Sequence, residues 1–256
     1  MPNQSTEAVR PAPAPSGPAG RVYSALAYAA FTLVSLWGVL FLADLGPTPA
    51  LESHGSGPAR VAVAVDVGLW VLFALQHSVM ARAAAKRRLT RVVPARLERS
   101  TYVLAAGLAL GLVFWQWRAL PGTVWEVSAQ PWAALLWAVY GAGWVTAVAA
   151  THMTDHWEFL GVKQAVGPAQ LSERWLYAWV RHPMMLGLLV AFWVTPVMTT
   201  GHLLFALAGT AYVAVGVHFE ERDLRRTLGP AYDDYARRVP ALVPGLRTPP
   251  RRCSRP

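Results

Sequence analysis

RHPMMLGLLVAFWVTPVMTTGHLLFALAGTAYVAVGVHFEE, residues 181–221, opens on Arg-His-Pro and closes on two adjacent glutamates. Between them lie two apolar runs, 184–198 and 202–219, joined only by Thr199-Thr200-Gly201, with Pro196 near the bend. A helix needs roughly twenty apolar residues to cross about 30 Å of hydrocarbon, so the first run is short and reads as tilted or partly re-entrant. The stretch predicts a tight helical hairpin with its charges at the two open ends, where charge is costly unless it has a partner.

The surrounding chain has the same character. Its 256 residues are 54% hydrophobic and only 14% charged, with twelve Trp, a composition that excludes an ordinary soluble domain. Four further apolar runs, 22–43, 61–80, 101–117 and 131–151, are each long enough to span. The expected fold is therefore all-α, a polytopic membrane helical bundle of five to six transmembrane helices ending in the hairpin. Residues 1–20, rich in Pro, Ala and Ser, are expected to form a disordered arm, 21–246 the membrane domain, and 247–256 a disordered basic tail. The first run is long enough to span and lacks a small-residue cleavage site, so no secretory signal is expected. Cys253, alone in the tail, has no partner for an internal disulfide.

Lys and Arg set the orientation. A cytoplasmic N-terminus puts seven of them in loop 81–100, three in 152–183 and nine beyond 219. With Arg10 and Arg21, twenty-one of twenty-three then lie inside, leaving only Arg60 and Arg118 outside. The net charge of +9 is thus explained by membrane topology rather than by nucleic acid. Arg181, Glu220, Glu221 and loop 152–183 all meet at the cytoplasmic face.

Three groups of polar residues carry candidate chemistry. In the second run Asp66, Phe73, Gln76, His77 and Met80 share one helical face. Asp66 reads equally as a packing network or a functional group, whereas Gln76 and His77 point to an active cavity. The fourth run ends in Thr151-His152-Met153-Thr154-Asp155-His156-Trp157-Glu158. His152 and His156 stand at i and i+4, yet there is no HExxH and no nearby cysteine, so no metal is expected. The alternatives are an interfacial cap or a base built from Asp155 and His156. In the hairpin, Pro183 starts a helix whose free amides attract anions. Arg181 offers a planar fork suited to a carboxylate, and Gly187 permits a close approach to the backbone. Glu220 and Glu221 either pair with Arg222 and Arg225 or face a ligand.

The ordered series Tyr177-Ala178-Trp179-Val180-Arg181-His182-Pro183, apolar hairpin, Glu220-Glu221, Gly229-x-x-Tyr232-x-x-Tyr235 and Arg238-Val239-Pro240 resembles one known superfamily. It is that of the isoprenylcysteine carboxyl and phospholipid methyltransferases, integral-membrane enzymes that use S-adenosylmethionine. That resemblance covers about 171–244 and departs at Met185, where the family commonly has tyrosine. Leu75-Gln76-His77-Ser78-Val79-Met80-Ala81-Arg82, His156 through Gln164 and the hairpin itself resemble instead the bacterial methanethiol S-methyltransferases, close to NnrU-type membrane proteins.

What these resemblances imply is a cytoplasmic S-adenosylmethionine site held by Gln164, Tyr177, Arg181, His182, Met185, Gly187, Glu220 and Glu221, in a cofactor half of about 152–246. Asp155, His156 and His77 are the candidates for deprotonating a small thiol acceptor. The implied setting is the lipid bilayer of a bacterial inner membrane with both termini cytoplasmic. A prenylcysteine or lipid acceptor, or a non-enzymatic NnrU-like or haem-binding protein, are the alternatives.

Overall fold

A computed structural model describes residues 17–46, 49–53, 57–153 and 172–245. In chain order the helices are α1 (Pro18–Ala43), α2 (Ala59–Ala81), the short α3 (Ala83–Leu89), α4 (Glu98–Gln116), α5 (Trp132–Met153), α6 (Pro183–Trp193), α7 (Thr200–Leu228) and α8 (Pro230–Arg238). Five are long and apolar enough to cross a membrane, namely α1, α2, α4 with the turn before it, α5 and α7. The protein is an integral-membrane helical bundle, because in hydrocarbon every backbone N–H and C=O must be satisfied within the chain. The first helix reaches back to Pro18, so Pro18–Gly20 are helical and do not belong to the expected arm; proline at the first helical position is preorganised for that start.

α1 and α2 pack on α4, α5 packs on α6, and α7 closes against α2 and α6. The junction is aromatic. Phe205 of α7 has ring centroids of Trp70, Trp117, Phe192 and Phe41 at 4.9, 5.3, 5.5 and 5.7 Å, so one side chain ties together five segments. Between α5 and α6 the contact is backbone on backbone. A Cβ added at Gly187 would stand 2.5 Å from the Gly143 carbonyl and 2.6 Å from the Ala147 nitrogen. Small residues permit such an approach where lipid supplies no hydrophobic drive between helices.

The hairpin is asymmetric. Its first arm is an eleven-residue helix, about 16 Å long, followed by extended chain. The helix stops where it does because Pro196 has no N–H to offer the carbonyl four residues back, and because the residue before a proline avoids the helical region. That orphaned carbonyl belongs to Phe192, and it accepts a bond of 2.9 Å from Nε2–H of the buried His202. The extended chain forms β2 (Val197–Thr199), antiparallel to β1 (Thr123–Glu126) in the α4–α5 link, with Trp125 opposite Met198 and Glu126 opposite Val197. This two-stranded ribbon, absent from the expected fold, satisfies backbone groups that a broken helix exposes. Thr199 then caps α7 by accepting from the His202 N–H at 3.1 Å.

The second arm differs in the other direction. α7 runs for 29 residues, about 43 Å, and carries Glu220 and Glu221 on helix beyond the apolar run.

Replacing Gly187 by Ala overpacks the α5–α6 contact and is expected to lower stability by about 1–3 kcal/mol. Gly216, with nothing within 4 Å of an added Cβ, is the control: Gly216→Ala shows no loss in the same thermal-shift measurement in detergent.

Candidate active site

The charged residues of the hairpin gather at the end of the bundle where α6 begins and α7 outruns the apolar run. Arg181 and His182 precede α6, and their N–H groups donate to the carbonyls of Pro240 (2.9 Å) and Ala241 (3.1 Å), just beyond α8. α8 is held in turn by its buried tyrosines. Tyr235 Oη donates at 2.6 Å to the Tyr177 carbonyl, and burial pushes its pKa up, so it remains a protonated donor. The Tyr177 hydroxyl lies 3.5 Å from the Ala150 carbonyl at the end of α5.

Arg181 is buried, with a side chain only 2% exposed, and every contact of its fork is internal. Nε donates at 2.9 Å to Glu221 Oε1, and one terminal nitrogen donates to the same oxygen. The other donates to the carbonyls of Ala236 (3.2 Å) and Val239, at the negative end of α8. Glu221 is the centre of the cluster. Its Oε1 also lies 3.4 Å from His182 Nε2, while Oε2 accepts from Arg225 at 3.1 Å. Arg225 Nε reaches Asp233 at 3.4 Å, and its guanidinium stands over the Tyr232 ring.

Glu220 is placed differently. It is 51% exposed, against 13% for Glu221, and its one described contact is Oε2 to His182 Nδ1 at 3.6 Å. The two acids, adjacent in sequence, thus separate into an internal organiser and an open carboxylate. Met185 is half-buried in the first turn of α6. The close neighbour for which Gly187 makes room is α5, which fills the space beside its Cα.

His77 belongs to a second group, between α2, α4 and α7. Its Nε2 is 2.6 Å from Tyr102 Oη, and the rings of Phe73, Tyr102 and Tyr212 stand 5.5, 5.1 and 6.0 Å away. Gln76 donates to Met80 Sδ at 3.0 Å on the same helix. Asp66 is fully buried and accepts the Arg118 N–H at 2.9 Å, tying α2 to the chain leaving α4, as a packing residue does. Asp155, His156 and Gln164 lie outside the described residues.

His202, Gly143 and Asp233 did not stand out in the sequence. The only signal for His202 was a histidine in an apolar run six residues after a proline.

A membrane bundle with crossing helices, a broken hairpin and a cluster of paired charges at its mouth defines a class of integral-membrane protein. The particular one follows from comparison: the chain belongs to the NnrU protein family, whose model matches residues 67–240. It is 45% identical over 247 residues to methanethiol S-methyltransferase 2 of Bradyrhizobium diazoefficiens, covering 92% of this chain and 95% of that one. It is 42% identical to the methanethiol S-methyltransferase of Mycobacterium tuberculosis, covering 87% and 95% of the two chains. A Pseudomonas methanethiol S-methyltransferase is 44% identical, covering 88% and 90%. No solved structure matches.

Glu221→Gln removes the counter-charge of a buried guanidinium and is expected to destabilise the protein by roughly 3–5 kcal/mol. Glu220→Gln, at a half-exposed position, is expected to change stability by less than about 1 kcal/mol. Thermal-shift midpoints of the two variants, read side by side in detergent, check the division.

Proposed function

We propose that this protein transfers a methyl group from S-adenosylmethionine to methanethiol, giving dimethyl sulfide and S-adenosylhomocysteine. The Arg181 end of the bundle faces the cytoplasm of a bacterial inner membrane, with both termini on that side. Near-full-length likeness to proteins named methanethiol S-methyltransferase supports the substrate. The observation that supports the site is a helix N-terminus with no side-chain cap and a half-exposed acid beside one buried histidine.

The donor set fits the zwitterionic amino-acid end of the cofactor. Leu186 makes the first bond of α6, to the His182 carbonyl, so the N–H groups of Met184 and Met185 precede the intrahelical ladder and suit a carboxylate. Glu220 suits the ammonium group or the ribose hydroxyls. Arg181, with its fork already occupied, keeps Glu221 and the start of α6 in place and adds positive field, in place of the direct carboxylate contact read from the sequence. Tyr177, His182, Met185 and Gln164 complete the cofactor side.

When bound, S-adenosylmethionine supplies a methyl group on a positively charged sulfur. The protein must hold an acceptor thiolate in line with that carbon and receive the thiol proton. Asp155 with His156, and His77 beside Tyr102, are the groups proposed for the proton. Apolar surroundings at the acceptor would favour transfer between an anionic thiolate and a cationic donor, because the two charges cancel. Selectivity for so small a thiol rests on steric exclusion, because one methylene is worth only about 0.8 kcal/mol of attraction.

Cells expressing the chain and supplied with methanethiol are expected to release dimethyl sulfide into the headspace. Glu220→Gln should lower that release about ten- to a hundredfold, the effect of one lost charge-assisted hydrogen bond. No dimethyl sulfide from wild type, methylation of prenylcysteine or lipid acceptors instead, or a Soret band in purified protein without S-adenosylmethionine binding would each overturn the reading. Met185→Ala, which removes half-buried side-chain volume at the mouth of α6 where cofactor and acceptor would meet, is expected to admit ethanethiol as an acceptor in the same assay.

A further inference from the structure

The link between α2 and α4, residues 82–97, holds six cations, Arg82, Lys86, Arg87, Arg88, Arg91 and Arg96, and no acid. Arg82 stands 4.7 Å over the Phe219 ring, which places the link at the same end of the bundle as Glu221. The other five cations form no ion pair among the described residues. Elsewhere at this end Arg181, Arg225, Arg226, Arg237 and Arg238 each reach a carboxylate, while Arg174 and Arg222, scattered singly, form no ion pair among the described residues. Membrane topology calls for cations on one side, but it does not call for leaving one group of them without counter-charge.

The fold keeps this group at the membrane boundary. At Arg82 the backbone turns extended (φ −74, ψ 141), so α3 leaves the axis of α2 rather than prolonging it into water. The spanning helices resume at Glu98, so both ends of the link are tied to the boundary. Leu89, Val93 and Leu97 are half-buried, whereas Arg87, Arg88, Arg91 and Arg96 are exposed. Val92, next to Arg91 in the same link, is 87% exposed, an apolar tip in a segment of like charges. Cations clustered beside a spanning helix attract anionic headgroups, and an apolar side chain among them has the acyl boundary as its favourable environment.

We propose that residues 86–96 are a docking surface for anionic phospholipids of the surrounding bilayer, with phosphates among Lys86, Arg87, Arg88, Arg91 and Arg96 and Val92 entering the acyl boundary. The lipid supplies the counter-charge that the protein itself supplies to Arg181, Arg225, Arg226, Arg237 and Arg238.

Full-length protein in nanodiscs tests this, with phosphatidylglycerol compared with phosphatidylcholine by thermal midpoint and by lipid retained in native mass spectra. Phosphatidylglycerol is expected to raise the midpoint and to be retained preferentially. Each single Gln substitution at the five positions weakens its retention about fivefold, and the quintuple variant loses the preference. Equal retention of the two lipids by wild type overturns the proposal, as does undiminished retention in Arg88→Gln and Arg91→Gln, which leave most of the link intact if the quintuple variant fails to fold. Inorganic phosphate giving the same stabilisation, or an acidic protein or nucleic acid displacing the lipid, also overturns it. Neither readout depends on methyl transfer.

Discussion

One carboxylate holds the charged end of this bundle together. Glu221 accepts from Arg181, lies against His182 and accepts from Arg225, so the chain before α6, the far end of α7 and, through the Arg181 fork, the last carbonyls of α8 share one counter-charge. A buried guanidinium without such a partner is strongly unfavourable, and a buried carboxylate with two cationic neighbours is held in a single place. The position of the α6 N-terminus, and with it any ligand bound there, depends on that arrangement. Glu220, one residue earlier, is free of it and keeps its carboxylate open.

The opposite end of the hairpin solves a different problem. Pro196 ends α6 after eleven residues, and the backbone it leaves exposed must be satisfied without water. His202 takes the Phe192 carbonyl and β1 pairs with β2, so the extended chain after α6 is satisfied from within the protein. Between the two ends, Gly143 and Gly187 bring α5 and α6 into backbone contact, which rigidly relates the end of α5 to the mouth of α6.

Adjacent acids with opposite tasks illustrate how a helix assigns roles. Consecutive residues point about 100° apart, so Glu221 turns toward Arg181 while Glu220 reaches His182 from the open side. An ordered motif of charges therefore holds both a scaffold and an open carboxylate, and substitution data on the motif read correctly only when the two are separated. The Arg181 fork belongs with the scaffold.

Much of the architecture is legible in the residues alone. The runs 22–43, 61–80, 101–117 and 131–151 become α1, α2, α4 and α5 because an apolar segment of that length in lipid has to be a helix, a local constraint that needs no knowledge of neighbours. The bend near Pro196 and the helix start at Pro183 are local for the same reason. Partners are not. That Glu221 serves Arg181 forty residues away, that Gly187 meets Gly143, and that His202 replaces the N–H missing at Pro196 are facts of three-dimensional packing. Sequence by itself determined which segments span and which residues carry charge at their ends, since hydrocarbon permits no other reading. Only the tertiary structure decided which of those charges neutralise one another and which stay open to a ligand, because pairing energy depends on distances that chain order does not encode.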